Sequence, residues 1–149
     1  MGCGRREERL AELREQFGGD HLFGVCDTAD DVAMFDEQKT INTLNLTLSK
    51  GKTVSGALDL AKAAKSKGWG IVVSSETTTP ETDDSFAAHF AVGVRAGQFK
   101  AGGLCGAEHL AKYNELLRIS SDPANPPAFI AGDFRAACCS DASHRLNGP

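Results

Sequence analysis

The sequence predicts an α/β chain made of parallel βα units, and three observations carry that prediction. Short apolar stretches alternate with longer stretches of helical periodicity from residue 4 to residue 119, which implies parallel strands joined by crossover helices. One of the apolar stretches, WGIVVSS at residues 69–75, is a continuous β-branched run, the mark of a strand buried on both faces. The composition suits such a fold. The 149 residues are 41% hydrophobic and 24% charged, with net charge -4. A chain of that size buries roughly two-thirds of the surface its unfolded form exposes.

Each element follows from local pattern. Residues 4–17 place Leu10, Leu13 and Phe17 at helical spacing among Arg and Glu, and Gly18-Gly19 stops the helix. HLFGVC, 21–26, reads as a short buried strand. TADDVAMFDEQKT, 28–40, reads as a helix with Thr28 as N-cap and Val32, Met34 and Phe35 on its apolar face. INTLNLTL, 41–48, alternates as a strand does. After the turn SKGK, TVSGALDLAKAAK forms an amphipathic helix ended at Gly68, and the buried strand 69–75 follows. The polar loop ETTTPETDD leads to an Ala-rich helix, SFAAHFAVGVRA. QFKAGG is a short strand, and GAEHLAKYNELLRI, 106–119, is a long helix. The polar tail from Ser120, with Pro123, Pro126 and Pro127, is expected to be only partly ordered. The expected divisions are a charged N-terminal helix at 1–19, the βα units at 20–135 and a polar tail at 136–149.

Four strands are half of an eight-stranded barrel, and an open half leaves unpaired edges and an uncovered inner face. The chain therefore closes on itself as a small open sheet or completes a barrel with another chain. The acidic balance leaves no electrostatic footprint for nucleic acid. No run reaches the length of a membrane span and MGCGRREERL turns charged at once, so neither a span nor a signal peptide is expected, and the cytoplasm is the expected compartment. Gly2 and Cys3 suggest acylation, but Arg6 stands where the myristoylation pattern wants Ser or Thr. Cys3, Cys26, Cys105, Cys138 and Cys139 lack disulfide-framework spacing and are expected to be reduced. Adjacent Cys138 and Cys139 with His144 do not make a tetrahedral metal site.

GWGIVVSS, ETDDSFAAHFAVGVRAGQFKAGG, EHLAKYNELLRI and AFIAGDF resemble, in order and almost without gaps, the C-terminal part of enolase, the glycolytic 2-phosphoglycerate dehydratase. The match is strong over residues 53–135 and weaker over 8–52. It implies a partial TIM-type (β/α) barrel of about four parallel βα units, equivalent to the second half of the enolase barrel. Enolase chemistry needs two Mg2+ ions, a lysine base and a glutamic acid, drawn from several strands. The two glutamates of the acid group and two of the three metal carboxylates belong to family segments upstream of the matching region.

The resemblance also assigns the remaining site positions. Where the family reads VGDD, Val25 and Cys26 occupy the aspartate positions, and Asp27 is two residues late for the metal. Thr47 occupies the position of the catalytic lysine, while Lys50 and Lys52 fall in the following turn. Where the family reads SHRSGETED, Ser75 replaces the histidine and Glu76 the phosphate-binding arginine, with Thr77 beside it. A carboxylate repels a phosphate dianion. Lys100 keeps the substrate-contacting lysine, and Gly106-Ala107-Glu108-His109 replaces RSER.

Several residues have plainer readings. Lys100 is expected to be vestigial, paired with Glu76 or Glu108. His89 and His109 are expected at the surface or against a partner, and His21 at a strand start. Trp69 is expected to pack at a helix-strand junction with its N–H on one acceptor. Lys62, Lys65 and Lys67 read as a solvated helix face near its C-terminus.

The expected function is non-catalytic: an enolase-like pseudoenzyme with no catalytic residue, no metal and no Mg2+, acting as a structural or protein-interaction component. Its expected partners are other proteins, in a larger assembly or as an enolase-like chain completing the barrel, with no nucleic acid and no membrane. Divergent enolase-like proteins of sperm flagella and the ciliary central apparatus make an axonemal scaffold the expected setting. The alternatives are one part of a split enolase, active only with another chain, and a sensor of a small phosphate ester.

Overall fold

The computed structural model describes residues 23–75 and 81–124, together with positions 9, 12, 13, 15 and 16. Those five early positions are helical, as predicted for the N-terminal helix. Leu10, Phe17, Glu76, Thr77, His21, Cys138, Cys139, His144 and the AFIAGDF segment lie outside the described residues.

The elements follow the predicted alternation: β1 (Phe23–Gly24), α1 (Ala29–Glu37), β2 (Thr43–Leu46), α2 (Val54–Ser66), β3 (Gly70–Ser74), α3 (Phe86–Gly93), β4 (Gln98–Lys100) and α4 (Ala107–Ser120). The strands form one four-stranded sheet in the order β1-β2-β3-β4, and every pair is parallel. This is an α/β partial barrel. The strands are shorter than the apolar stretches that predict them, because pairing rather than composition sets their ends. β2 keeps four residues of INTLNLTL, and β4 keeps three of QFKAGG.

Helix caps are built as the sequence suggests. Thr28 Oγ1 accepts from the Asp31 N–H at 3.2 Å, and Asp31 Oδ2 accepts from the Thr28 N–H at 2.9 Å, a reciprocal box that occupies two otherwise unpaired groups. Asp30 and Asp31 also suit the positive end of the helix dipole. Thr53 caps α2 by accepting from the Gly56 N–H at 3.0 Å. Along α2, Ala57, Leu60, Ala61 and Ala64 are buried at one-face spacing.

The core lies between that helix face and one face of the sheet. Leu44 and Leu46 of β2, Ile71 and Val73 of β3, Val32 of α1 and Phe90 and Ala91 of α3 join it, with Phe99 packed against it. Each fully buried Leu or Ile contributes about 1.5–3 kcal/mol. Trp69 is buried at the α2–β3 junction, and its Nε1–H donates to Asp36 Oδ1 at 3.1 Å, as its predicted role requires. Lys67 meets the same carboxylate at 3.2 Å.

Alternation along the strands sends the intervening residues to the opposite face, the inner side of a barrel. Thr43, Asn45, Val72, Ser74, Gln98 and Lys100 occupy it. The Ser74 hydroxyl donates to Asn45 Oδ1 at 2.5 Å across the β2–β3 pair. A closed barrel of this kind is filled mostly by branched aliphatic side chains, and here only Val72 is of that type.

Candidate functional site

Chemistry in parallel βα barrels is carried by residues at the C-terminal strand ends. The register places those ends side by side. Leu46 pairs with Val73 and Ser74 with Lys100, so Thr47 is level with Ser74 and Lys100 along one rim. Val25, just beyond β1, lies next to them and is 51% exposed. The structure brings Thr47, Ser75 and Lys100 to a common edge.

The side chains there are committed to local partners. Thr47 Oγ1 lies 3.3 Å from Ser49 Oγ. Ser75 is buried, and both its N–H and its hydroxyl donate to the Lys100 carbonyl, at 2.9 and 3.2 Å. Neither hydroxyl has an imidazole or carboxylate partner among the described residues. The Lys100 side chain is exposed and makes no ion pair among the described residues. Its predicted pairing with Glu108 is not formed. Glu108 Oε1 instead lies 3.9 Å from His109 Nε2 on the same helix. The predicted contact with Glu76 lies outside the described residues.

The residues do not fit Mg2+. At the family's ligand position Val25 has no donor atom. Asp27, two residues late, is paired with Lys50 at 2.9 Å, and a single carboxylate holds Mg2+ poorly. Cys26 turns into the core, where burial first, and then the nearby carboxylates of Asp31 and Asp27, push its thiol up to about 11. Among the described residues no group of three or more His, Cys, Asp or Glu side chains is placed to hold a metal. No helix among them is long and apolar enough to cross a membrane.

Three charged features escaped the sequence reading. Lys112 of α4 is 1% exposed, and its ammonium reaches Glu81 Oε1 at 2.9 Å, the Thr82 carbonyl at 2.6 Å and the Glu108 carbonyl at 2.9 Å. The second oxygen of Glu81 is buried without a hydrogen-bond partner. His89, expected at the surface, is half-exposed but bonded, with its Nε2 lying 2.7 Å from Glu115 Oε1, an oxygen that also takes Arg118 Nη2 at 2.6 Å. His109 is only 26% exposed and its Nδ1 is buried without a partner, so it departs from a simple surface residue. No local pattern marks these groups, because each partner is set by how α3, α4 and the loop before α3 meet.

Comparison with known proteins agrees with this architecture. The family model of the enolase C-terminal TIM barrel domain matches residues 7–137. An enolase of Solanum lycopersicum is 38% identical over 127 residues, covering 84% of this chain and 28% of that protein. The chain thus spans well under half the length of the curated relative it matches. A family match over most of the chain, four parallel βα units and the second-half register together place this chain in the enolase family, as part of its C-terminal barrel.

Proposed function

We propose that this chain is a non-catalytic member of the enolase family that acts by binding other proteins. The observation that carries the reading is the rim itself. Val25, Thr47 and Ser75 stand where the resemblance implies a metal carboxylate, a lysine base and a histidine, and the two hydroxyls are held by Ser49 and the Lys100 carbonyl. Neither a base nor a metal ligand set is available in that arrangement. The partner we propose is a protein that pairs with the sheet edges, either in a large assembly or as an enolase-like chain completing the barrel. The setting we propose is the ciliary axoneme, by analogy with divergent enolase-like proteins associated with flagella, and nothing in the composition bears on it.

A second reading is a split enolase. The exposed Lys100 at the end of β4 and the 38% identity to a protein named enolase favour it. One experiment separates the two. The tagged chain is purified gently from its native cells, its stoichiometric partners are identified and the material is assayed for 2-phosphoglycerate dehydration. Structural partners without turnover support the binding role. Mg2+-dependent turnover with a partner carrying the rest of an enolase overturns it.

A further inference from the structure

Helix α4 is anchored differently from the other helices. The core cluster contains side chains of α1, α2 and α3, and none of α4, either buried or partly buried. The only buried residue of α4 is a charged one, Lys112. The helix rests on α3 and is fixed there by polar contacts. The Lys112 ammonium uses its three protons on Glu81, Thr82 and Glu108, and His89 of α3 meets Glu115. The Tyr113 hydroxyl donates to the Gly102 carbonyl at 2.6 Å. Outward, Leu110 and Leu117 are exposed.

The connection to β4 is built to bend. Gly102 and Gly106 hold φ of +84° and +91°, a region that residues with a Cβ rarely enter, and Gly103 between them faces open space. Gly106 is also the N-cap, and no side chain caps the helix there. A glycine-rich connection, an uncapped start and a buried ion pair occur together in this element, whose Ala111, Leu116 and Ile119 are half-buried.

We infer that α4 is a strap that undocks as a unit about the Gly102–Gly106 hinge, released when the Lys112–Glu81 pair and the His89–Glu115 contact are broken, while β1 through α3 stays folded. Undocking uncovers the α3 surface beneath it. Local opening of this kind draws on elements with few apolar contacts. Lys112 is faced by Glu81 and, at longer range, Asp84, while Glu115 is faced by Arg118 of its own helix and by His89 of α3.

Hydrogen exchange followed by mass spectrometry on the full chain tests this. The amides of α4 should exchange through an opening that β2, β3 and α2 do not share. Lys112→Met should speed α4 exchange at least about tenfold and leave the β2 and β3 rates within about twofold. Glu115→Gln, at the other contact, should speed α4 several-fold, and it decides the matter if Lys112→Met does not fold. Equal acceleration across all elements, or unchanged α4 exchange in both variants, overturns the strap.

Discussion

Replacing Lys112 by Met tests whether the buried ammonium is held as described. The side chain is 1% exposed, and methionine fills similar space without charge. The substitution leaves the Glu81 carboxylate, itself 13% exposed, with neither oxygen paired, because its Oε2 already lacks a donor. Breaking a buried pair on one side costs about 3–5 kcal/mol, whereas replacing both partners by apolar groups is often neutral. Lys112→Met should therefore destabilise by about 3–5 kcal/mol, capped by the free energy needed to undock α4. Lys112→Met with Glu81→Leu should recover most of that loss. Urea titration read by the single tryptophan, buried Trp69, gives the global value, and far-ultraviolet circular dichroism gives the loss of helix. A single-variant loss below about 1 kcal/mol, or a double variant no better than Lys112→Met, refutes the buried pair.

Three other expectations follow from the same geometry. Asp36→Ala leaves the buried Trp69 N–H without its acceptor and should cost about 1–3 kcal/mol in urea titration, while Asp36→Asn, which keeps an oxygen there, should cost less. Cys26, buried with its thiol pushed up to about 11, should resist alkylation at pH 8 in the native chain, while exposed Cys105 is labelled, as peptide mapping of the alkylated protein will show. The Asp84 carboxyl is lowered by the Thr82 hydroxyl and then by the Phe86 N–H, so its contribution is present above the ordinary aspartate range and lost as pH falls through the lowered value. Thermal unfolding from pH 6 to pH 3 should show stability falling with acid, and less steeply for Asp84→Asn.

The sequence made the sheet and its caps legible. WGIVVSS marked a strand whose five paired residues, Gly70–Ser74, are all buried, and Thr28, read as the N-cap, stands immediately before the helix it caps. Local patterns sufficed because strands and caps are local devices. The rim was readable as positions and not as contacts. Thr47 and Ser75 were placed correctly at strand ends, but Ser75 binding the Lys100 carbonyl depends on the β3–β4 pairing, which no single stretch specifies. Lys112 was missed for the same reason. In GAEHLAKYNELLRI a lysine reads as solvated, and its burial is set by Glu81 and Thr82, which reach it from a loop distant in sequence. The pairing of Asp27 with Lys50, from the next βα turn, is likewise a contact that no single stretch specifies.

The strand order β1-β2-β3-β4 repeats the order of the chain, so each strand pairs only with its immediate predecessor and successor. Every sheet contact then closes a loop no longer than one βα unit. Each pairing spans a single crossover helix, so no strand has to find a partner beyond the next unit. This order also makes cohesion nearly a sum of neighbour terms, as in repeat arrays, with the longest pairing, β2 to β3, at the centre. The central β2–β3 pair is therefore the part of the sheet that depends least on what adjoins either edge.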